Sequence, residues 1–253
     1  MFRPRIIPVL LLKNRGLVKS VGFSKHRYIG DPINAVKIFN DLKADELVFL
    51  DILASKENRT LSTDFVKNVG EEANMPFAVG GGINSIGDIK KLIGAGAEKV
   101  VISTSAIKNP DFIRQASEIF GSSTVTVCID VKRNLFKKET VMICSGTRKS
   151  GIPVEESVLL FEELGAGEII IQSIDNDGTM EGYDLPLIKK VSDLVKIPVV
   201  ALGGAGSLAH LEQAFAEANA SGLAAGSLFV YHGPRRGILI NYPDKNEIAT
   251  LFH

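Results

Sequence analysis

Short apolar runs alternate along the chain with longer stretches in which apolar residues recur every three or four positions. Runs of β-branched residues without polar alternation are typical of strands that are buried on both faces. Eight such runs occur in order: RIIPVLL, ELVFLDI, PFAVGG, KVVIST, TVTVCIDV, EIIIQSI, PVVALGG and GLAAGSLF. Eight buried strands with helices between them predict an α/β protein, a single (β/α)₈ TIM barrel domain over residues 1–253.

The helix starts and one insertion can also be located. Asp31 followed by Pro32 predicts the N-terminus of a helix over DPINAVKIFNDL, and Ser85 predicts the start of another over SIGDIKKLIGAG. The segment VKRNLFKKETVMICSGTRK follows the fifth run and alternates polar with apolar residues. This alternation predicts a β-hairpin on the catalytic face of the barrel.

An internal repeat divides the barrel into halves. PFAVGGGINS, from Pro76, aligns with PVVALGGAGS, from Pro198, so Gly81 corresponds to Gly203 and the offset is 203 − 81 = 122. The same offset pairs ADELVFLDI with AGEIIIQSI and VVISTSA with GLAAGSL. Two (βα)₄ halves related by a pseudo-two-fold axis are therefore predicted, each contributing one copy of the same ligand site.

Composition excludes several classes of partner. The 29 Lys and Arg residues balance the 29 Asp and Glu residues, so no overall positive field favours a nucleic acid or an anionic membrane. No apolar run reaches the roughly 18 residues of a membrane-spanning helix, and we expect a cytoplasmic protein. Cys128 and Cys144 lie apart in apolar runs and are expected to be small core residues rather than zinc ligands. The sequence calls for neither a metal ion nor a cofactor.

Two glycine turns are the first candidate chemistry. VGGGINS and LGGAGS each end a strand in glycines and precede a helix whose first N–H groups are expected to be unpaired, which is the local geometry of an anion site. Two such turns in register predict a substrate with two phosphate-like groups, although glycines after strands can also serve only as tight turns. The predicted binding set is Gly81, Gly82, Ser103, Thr104 and Ser105 in one half, and Gly203, Gly204, Gly226 and Ser227 in the other.

Carboxylates at the strand ends are the second candidate chemistry. Asp130 is the strongest candidate, because CIDVK places a charge inside an apolar run where a strand reaches the barrel mouth. Asp51, and Asp177 with Gly178 in SIDNDGT, are either ligand-binding residues or ordinary turn and cap residues. Lys19 lies in the long first loop, where it either closes over an anionic ligand or is solvated.

The repeat also reveals a missing carboxylate. CIDVK aligns with VLLLK, so the counterpart of Asp130 in the first half is Leu11. Acid–base chemistry with two opposed carboxylates needs one on each half, and this barrel keeps one of the two.

At the opposite end of the barrel, charges of both signs stand at four strand starts: Arg5, Glu46, Lys99 and Glu168. A ring of alternating sign there is either a salt-bridge plug or a gate at the bottom of the barrel.

The chain resembles the HisF family, the cyclase subunit of imidazole glycerol phosphate synthase. RIIP, ADELVFLDI, VGGGI, Asp130, GAGEI, DGTMEGYDL and GGAG recur in the family's order and spacing. The resemblance implies that a HisH-like glutaminase docks on the N-terminal face and that ammonia crosses the barrel through a gate formed by the four charged residues. It also implies that the glycine turns hold a bisphosphorylated ribotide, that Asp130 is catalytic, and that Lys19 belongs to a mobile catalytic loop.

Three positions of this chain depart from the family. Leu11 stands where the family has its first catalytic aspartate, Ser103 stands where it has an asparagine after the fourth strand, and Leu202 stands where it has the serine before its second glycine turn. LLLK and GSLFVYHGPRRGILINYP are similar to a HisF-like branch associated with acetamidino-sugar formation in surface polysaccharides, where a third, sugar-amidating protein receives the ammonia. Three alternatives stay open at this stage: an authentic histidine-pathway cyclase, a non-catalytic scaffold that activates the glutaminase, and a related isomerase of the same barrel type.

Overall fold

The barrel is built from eight parallel strands. The computed structural model describes residues 3–134, 136 and 138–252. Within them the barrel strands are β1 (Arg5–Lys13), β2 (Leu47–Asp51), β3 (Phe77–Gly80), β4 (Lys99–Ile102), β5 (Val125–Arg133), β6 (Glu168–Ser173), β7 (Val199–Leu202) and β8 (Gly222–Ala225). Each strand pairs with the next, and β8 closes the barrel on β1 with Ile6 opposite Leu223. The predicted TIM barrel is confirmed.

Helices connect the strands. The described residues contain nine α-helices: α1 (Pro32–Asp41), α2 (Thr63–Glu72), α3 (Ile86–Gly94), α4 (Thr104–Lys108), α5 (Asp111–Phe120), α6 (Val154–Glu163), α7 (Leu185–Leu194), α8 (Leu208–Ala216) and α9 (Lys245–Leu251). The predicted starts are confirmed, since Asp31 accepts a hydrogen bond from Asn34 N and Ser85 accepts one from Asp88 N. In the part of the chain that the structure describes, no helix combines the length and apolarity needed to cross a bilayer.

The core has two layers because barrel strands alternate their side chains inward and outward. The large outer layer fills the space between strands and helices and includes Phe39, Phe49 and Phe161, all fully buried. The smaller inner layer fills the barrel itself.

The 122-residue repeat is visible in the elements. β3 starts at Phe77 and β7 at Val199, so 199 − 77 = 122, while α3 starts at Ile86 and α8 at Leu208, so 208 − 86 = 122. Both helices are capped by a serine, Ser85 and Ser207. The two halves therefore present equivalent strand-to-helix turns at the same end of the barrel.

Additional β-structure surrounds the barrel mouth. The segment after β1 is an antiparallel ribbon, Gly16–Val21 with Ser24–Gly30, and not the loop that we expected from the sequence. The predicted hairpin after β5 is confirmed, since Glu139–Ile143 pairs antiparallel with β5 and then with Arg148–Lys149; Leu135 and Lys137 of that segment lie outside the described residues. After β8 the chain forms a short hairpin, Tyr231–His232 with Gly237–Ile238.

Candidate functional site

Two cavities open at the C-terminal ends of the strands, one for each half of the repeat. The larger, about 250 Å³, is lined by candidates from the first half together with Asp130: Asp51, Gly81, Gly82, Ser103, Thr104 and Ser105. The smaller, about 30 Å³, is lined by Lys19, Asp177, Gly178, Gly203, Gly204, Gly226 and Ser227. Leu11, Ser20 and Gln172 line both cavities. The structure thus brings all the upper-face candidates together at the mouth.

The glycines of both turns are required by the backbone itself. Gly81 and Gly82 have φ of 128° and 67°, and Gly203 and Gly204 have φ of 96° and 113°. A Cβ on Gly82 would lie 1.8 Å from Arg59 O, and one on Gly204 would lie 2.0 Å from Gly182 O. These carbonyls exclude a side chain whether or not an anion binds, so the glycines alone do not distinguish a tight turn from an anion site.

Replacing Gly82 by alanine is expected to lower the free energy of unfolding by about 2–4 kcal/mol, from overpacking and from the positive φ. Gly94→Ala is the matched control, because Gly94 lies in α3 and, apart from its chain neighbours and the backbone of its own helix, no atom of the described residues is within 4 Å of the place that a Cβ would take. That change is expected to stabilise by about 0.5–1 kcal/mol through helix propensity. Urea unfolding of both variants measures the two changes in the free energy of unfolding. Equal changes would contradict the conclusion that the backbone packing requires a glycine at position 82.

The helix starts beside the turns are less open than the sequence suggested. We expected their first N–H groups to be unpaired, but Ser85 Oγ accepts from Asp88 N at 3.1 Å and Ser207 Oγ accepts from His210 N at 3.4 Å. A serine at the N-cap satisfies one of the amides that an anion would otherwise use. Two of the hydroxyl groups that we expected to bind an anion already form hydrogen bonds within the protein. Thr104 Oγ1 accepts from Cys144 N at 2.9 Å, and Ser105 Oγ donates to Ile83 O.

Asp130 lies inside the barrel mouth with its carboxylate buried. Cys128 Sγ donates to Asp130 Oδ1 at 3.6 Å. Burial raises the pKa of Asp130 to about 7; hydrogen bonds from Cys128 and Ser103 oppose this increase, and the charge of Asp177 adds to it. A carboxyl group with a pKa near neutrality can both give and take a proton at the pH of the cell.

The raised pKa of Asp130 makes the stability of the protein depend on pH. Between about pH 4, where the unfolded aspartate ionises, and about pH 7, the folded state binds more protons than the unfolded state, so stability falls as the pH rises. Asp130→Asn removes this cost, and we expect the variant to be more stable than the parent at pH 8, by at most about 4 kcal/mol. The gain should vanish near pH 4.

Urea unfolding at pH 4 and pH 8 measures this gain. Asp193→Asn is the control, since Asp193 is an exposed carboxylate that, among the described residues, forms an ion pair with Lys189 alone, on α7. A gain for Asp130→Asn that is the same at both pH values would show that the buried charge is not its origin.

Lys19 is not in a loop, in contrast to our expectation. It lies in the ribbon strand Gly16–Val21, is 4% exposed, and its Nζ donates to Val9 O at 2.6 Å. Burial lowers the pKa of Lys19 to about 8, against the raising effect of Asp177. The ammonium group therefore lies inside the smaller cavity, next to Gly226.

Asp177 attaches the ribbon to the barrel. Its Oδ2 accepts from Ser20 Oγ at 2.8 Å and from Phe23 N at 3.5 Å, and its carbonyl oxygen accepts from Gly22 N at 2.9 Å. Burial raises the pKa of Asp177 against these hydrogen bonds. The residue next to it, Gly178, has φ of 72° and packs against Ser20 O, which holds the ribbon close over the smaller cavity.

Asp51 is held by its own loop. Its carboxylate accepts from Leu53 N at 3.0 Å and from Ala54 N at 3.2 Å, and it forms an ion pair with Arg59 at 2.6 Å. A capping role and a ligand-binding role of Asp51 are compatible here, because the residue also lines the larger cavity.

The four charged residues at the strand starts form a closed ring of ion pairs. Arg5 bonds to both Glu46 and Glu168, and Lys99 Nζ lies 3.1 Å from Glu46 Oε1 and 3.4 Å from Glu168 Oε1. Burial would lower the pKa of Arg5, but the two carboxylates raise it above its ordinary value. The charges alternate around the ring and close the bottom of the barrel.

Sequence reasoning missed several residues at the mouth. Ser20, Gln172 and Cys128 line the larger cavity, and Arg59 neutralises Asp51. A signal existed for Gln172, a polar residue within the apolar run EIIIQSI, and for Cys128, two positions before Asp130 on the same strand. Cys144 was expected in a strand core but lies partly buried in the turn after Glu139–Ile143, with φ of 55°.

Comparison with known proteins gives consistent matches along the chain. Residues 5–234 match the family described as histidine biosynthesis protein. A Leptospira borgpetersenii protein, provisionally named imidazole glycerol phosphate synthase subunit HisF, is 47% identical over 253 residues. A Leptospira interrogans protein with the same provisional name is 44% identical over 254 residues. Both alignments span 100% of this chain and 100% of the relative. Imidazole glycerol phosphate synthase subunit HisF of Methanococcus vannielii is 43% identical over 251 residues, which covers 91% of this chain and 92% of that protein.

Proposed function

The chain belongs to the HisF family of histidine biosynthesis proteins, and from this premise we propose that it is the ammonia-receiving barrel subunit of a glutamine amidotransferase complex. The partner in this proposal is a HisH-like glutaminase that docks around the base ring at the N-terminal face. Ammonia then passes through a single-domain barrel to the mouth, where a phosphorylated ligand binds between the two cavities. The ring of Arg5, Glu46, Lys99 and Glu168 supports this arrangement, because it stands at the entrance that such a partner would cover.

The nature of the acceptor depends on position 11. Leu11 lines both cavities and Asp130 lines the larger one, where a histidine-pathway cyclase would need a second carboxylate to move protons. We therefore assign the chain to acetamidino-sugar formation in lipopolysaccharide or O-antigen biosynthesis, in which ammonia reaches a third protein that amidinates a nucleotide-linked sugar. Leu11 is the single observation that carries this assignment.

A second candidate is the cyclase itself, in which the bisphosphorylated ribotide PRFAR and ammonia give imidazole glycerol phosphate, AICAR and water in histidine biosynthesis. Asp130 favours it, because its pKa of about 7 suits proton transfer and it lies in the larger cavity. In both candidates the side chains have the same roles at the ends of the barrel: Lys19 and the glycine turns face the anionic groups, and the base ring controls entry.

The test compares two acceptors in the complex of this chain with its HisH-like glutaminase. Glutamine is supplied with either the histidine-pathway ribotide or a nucleotide-linked sugar together with its amidating protein. Transfer of the glutamine amide nitrogen to the sugar, without cyclisation of the ribotide, is the expected result. Cyclisation of the ribotide by the unaltered chain at an enzymatic rate would select the second candidate. Transfer to neither acceptor, with glutaminase activity stimulated, would leave only a scaffold role.

A further inference from the structure

An exposed hairpin stands at the rim of the barrel mouth. It follows β8 and pairs Tyr231–His232 with Gly237–Ile238, and residues 232–239 are all exposed. Among them Ile238 is 45% exposed and Leu239 is 54% exposed. Adjacent large apolar side chains on an exposed hairpin favour association with a second surface, because association removes them from water. The same residues contribute little to the barrel core, since they lie outside it.

Contacts with its neighbours hold the hairpin in one place. Arg236 Nη2 donates to Thr179 O at 3.0 Å, and Arg236 Nη1 donates to Gly178 O at 3.5 Å. Arg27 of the ribbon donates to Arg236 O at 3.4 Å, and its guanidinium group lies 5.6 Å from the centre of the Tyr231 ring. A surface that is ordered before a partner arrives loses less conformational entropy when the partner binds.

The charge of this rim is positive. Residues 13–30, which include the ribbon, contain five lysines and arginines and no aspartate or glutamate. Residues 231–243 contain Arg235 and Arg236 and no acidic residue. The chain as a whole has 29 basic and 29 acidic side chains, so the excess of positive charge is local. Such a surface attracts an acidic partner and accelerates its association.

We define the rim surface by four exposed residues of the ribbon and the hairpin: Arg27, Arg235, Ile238 and Leu239. We propose that this surface docks the protein that receives the ammonia, through an acidic patch with an apolar centre on that protein. The inference rests on the proposed amidotransferase function and adds to it the place where the third protein binds.

The position of the charges favours a protein partner over the phosphorylated ligand. Among the described residues, Arg27 and Arg235 line neither cavity, so they are not placed to hold a ligand at the glycine turns. Ile238 and Leu239 offer nothing to a phosphate group, whereas an apolar centre with a polar rim is the usual arrangement of a protein interface. Stable attachment to a lipid bilayer needs more apolar area than two side chains provide.

The rim surface also lies where a receiving protein is needed. Arg236 connects the hairpin to Gly178, and Gly178 lines the smaller cavity at the mouth. In the proposed complex the glutaminase covers the opposite face, at the base ring, so the mouth is free for another protein. A partner on the rim surface lies beside the opening from which ammonia leaves the barrel, and its path through water is short.

The first test measures binding. The complex of this chain with its HisH-like glutaminase is titrated calorimetrically with the amidating protein. We expect Arg235→Glu, and separately Ile238→Ser/Leu239→Ser, to raise the Kd by at least about tenfold, the effect of losing a central interface contact. The Kd of the parent should also rise with salt.

Matched controls carry the same changes on the outer helices. Arg114 is 53% exposed and Ile119 is 59% exposed on α5, and Leu159 is 45% exposed on α6. Arg114→Glu and Ile119→Ser/Leu159→Ser should leave the Kd unchanged, and the melting temperature of every variant is measured alongside. Equal Kd values for the rim variants and the parent would overturn the proposal.

The two rim variants also distinguish the kind of partner. Weaker binding by Arg235→Glu, with no effect of Ile238→Ser/Leu239→Ser, would mean that the surface attracts polyanions in general and would overturn the proposal. Vesicles of phosphatidylglycerol are the probe for a membrane. Binding of the parent to these vesicles through the same residues, without binding of the amidating protein, would also overturn it.

The second test follows the nitrogen atom and separates this inference from the function on which it rests. Glutamine labelled with ¹⁵N in its amide is supplied with the nucleotide-linked sugar, and the amidating protein is kept below its Kd for the parent complex. We expect both rim variants to lower the label in the sugar several-fold, with stimulation of the glutaminase unchanged. Equal label with the parent and the variants would mean that the docking surface is wrong and the proposed function stands. Absence of label and of binding with the parent would mean that both are wrong.

Discussion

Replacing Leu11 by aspartate is expected to raise ammonia-dependent cyclisation of the histidine-pathway ribotide by about 10²-fold or more. A positioned acid or base contributes roughly 10²–10⁴-fold to such a reaction, and Leu11 has no group that can transfer a proton. The new carboxylate would lie at the mouth, in the cavity that already holds Asp130. The purified chain, supplied with ammonia and ribotide, gives the measurement directly, without a glutaminase.

Leu11→Asn is the matched control, because asparagine has nearly the size and polarity of aspartate but does not act as a general base. We expect its turnover to stay at the level of the parent. Turnover by the unaltered chain close to that of Leu11→Asp would remove the acetamidino-sugar assignment and favour the histidine-pathway cyclase. Equal gains from aspartate and asparagine would mean that polarity, rather than proton transfer, is what position 11 lacks.

Replacing Arg5 by alanine is expected to lower the free energy of unfolding by about 3–5 kcal/mol, because it leaves two buried carboxylates with only part of their compensating positive charge. The side chains of Glu46 and Glu168 are only 4% and 9% exposed, and without Arg5 they share the single cation Lys99. At about 2–4 °C per kcal/mol for a protein of this size, the melting temperature should fall by roughly 6–20 °C. Thermal and urea unfolding of the isolated chain measure both quantities.

Arg114→Ala is the control for the loss of an arginine from an ion pair. Arg114 and Asp111 are both about half exposed on α5, and such pairs contribute at most about 1 kcal/mol. A loss for Arg5→Ala as small as that for Arg114→Ala would mean that water reaches the base ring and screens its charges. The ring would then be a poor barrier at the bottom of the barrel.

Much of the fold follows from local pattern. Eight apolar runs, the capping residues Asp31 and Ser85, and the 122-residue offset predicted the barrel and its two halves, and the structure has them at those places. Periodicity reports which residues of a strand share a face, and in a parallel barrel every strand points its C-terminal end to the same side. Sequence reasoning could therefore also predict that Asp51, Asp130 and Asp177 gather at the mouth.

Side-chain partners were decided by the closure of the barrel. Arg5 meets Glu168 across 163 positions of the chain, and Ser20 meets Asp177 across 157. No local pattern encodes such contacts, because they depend on the register in which β8 closes on β1 and on where the ribbon folds. The environment of Lys19 was missed for this reason: its segment reads as a loop in the sequence, and only the fold buries it against Val9.

The sequence by itself determined the barrel, its pseudo-symmetry and the set of residues at each end, because these depend on the spacing of residue types along strands and helices. Tertiary structure alone decided that the base charges form one closed ring, that the glycine turns are packed against carbonyl oxygens, and that Lys19 and Asp130 are buried at the mouth. These properties depend on distances between side chains on different strands and on their removal from water, and both exist only once the barrel has closed.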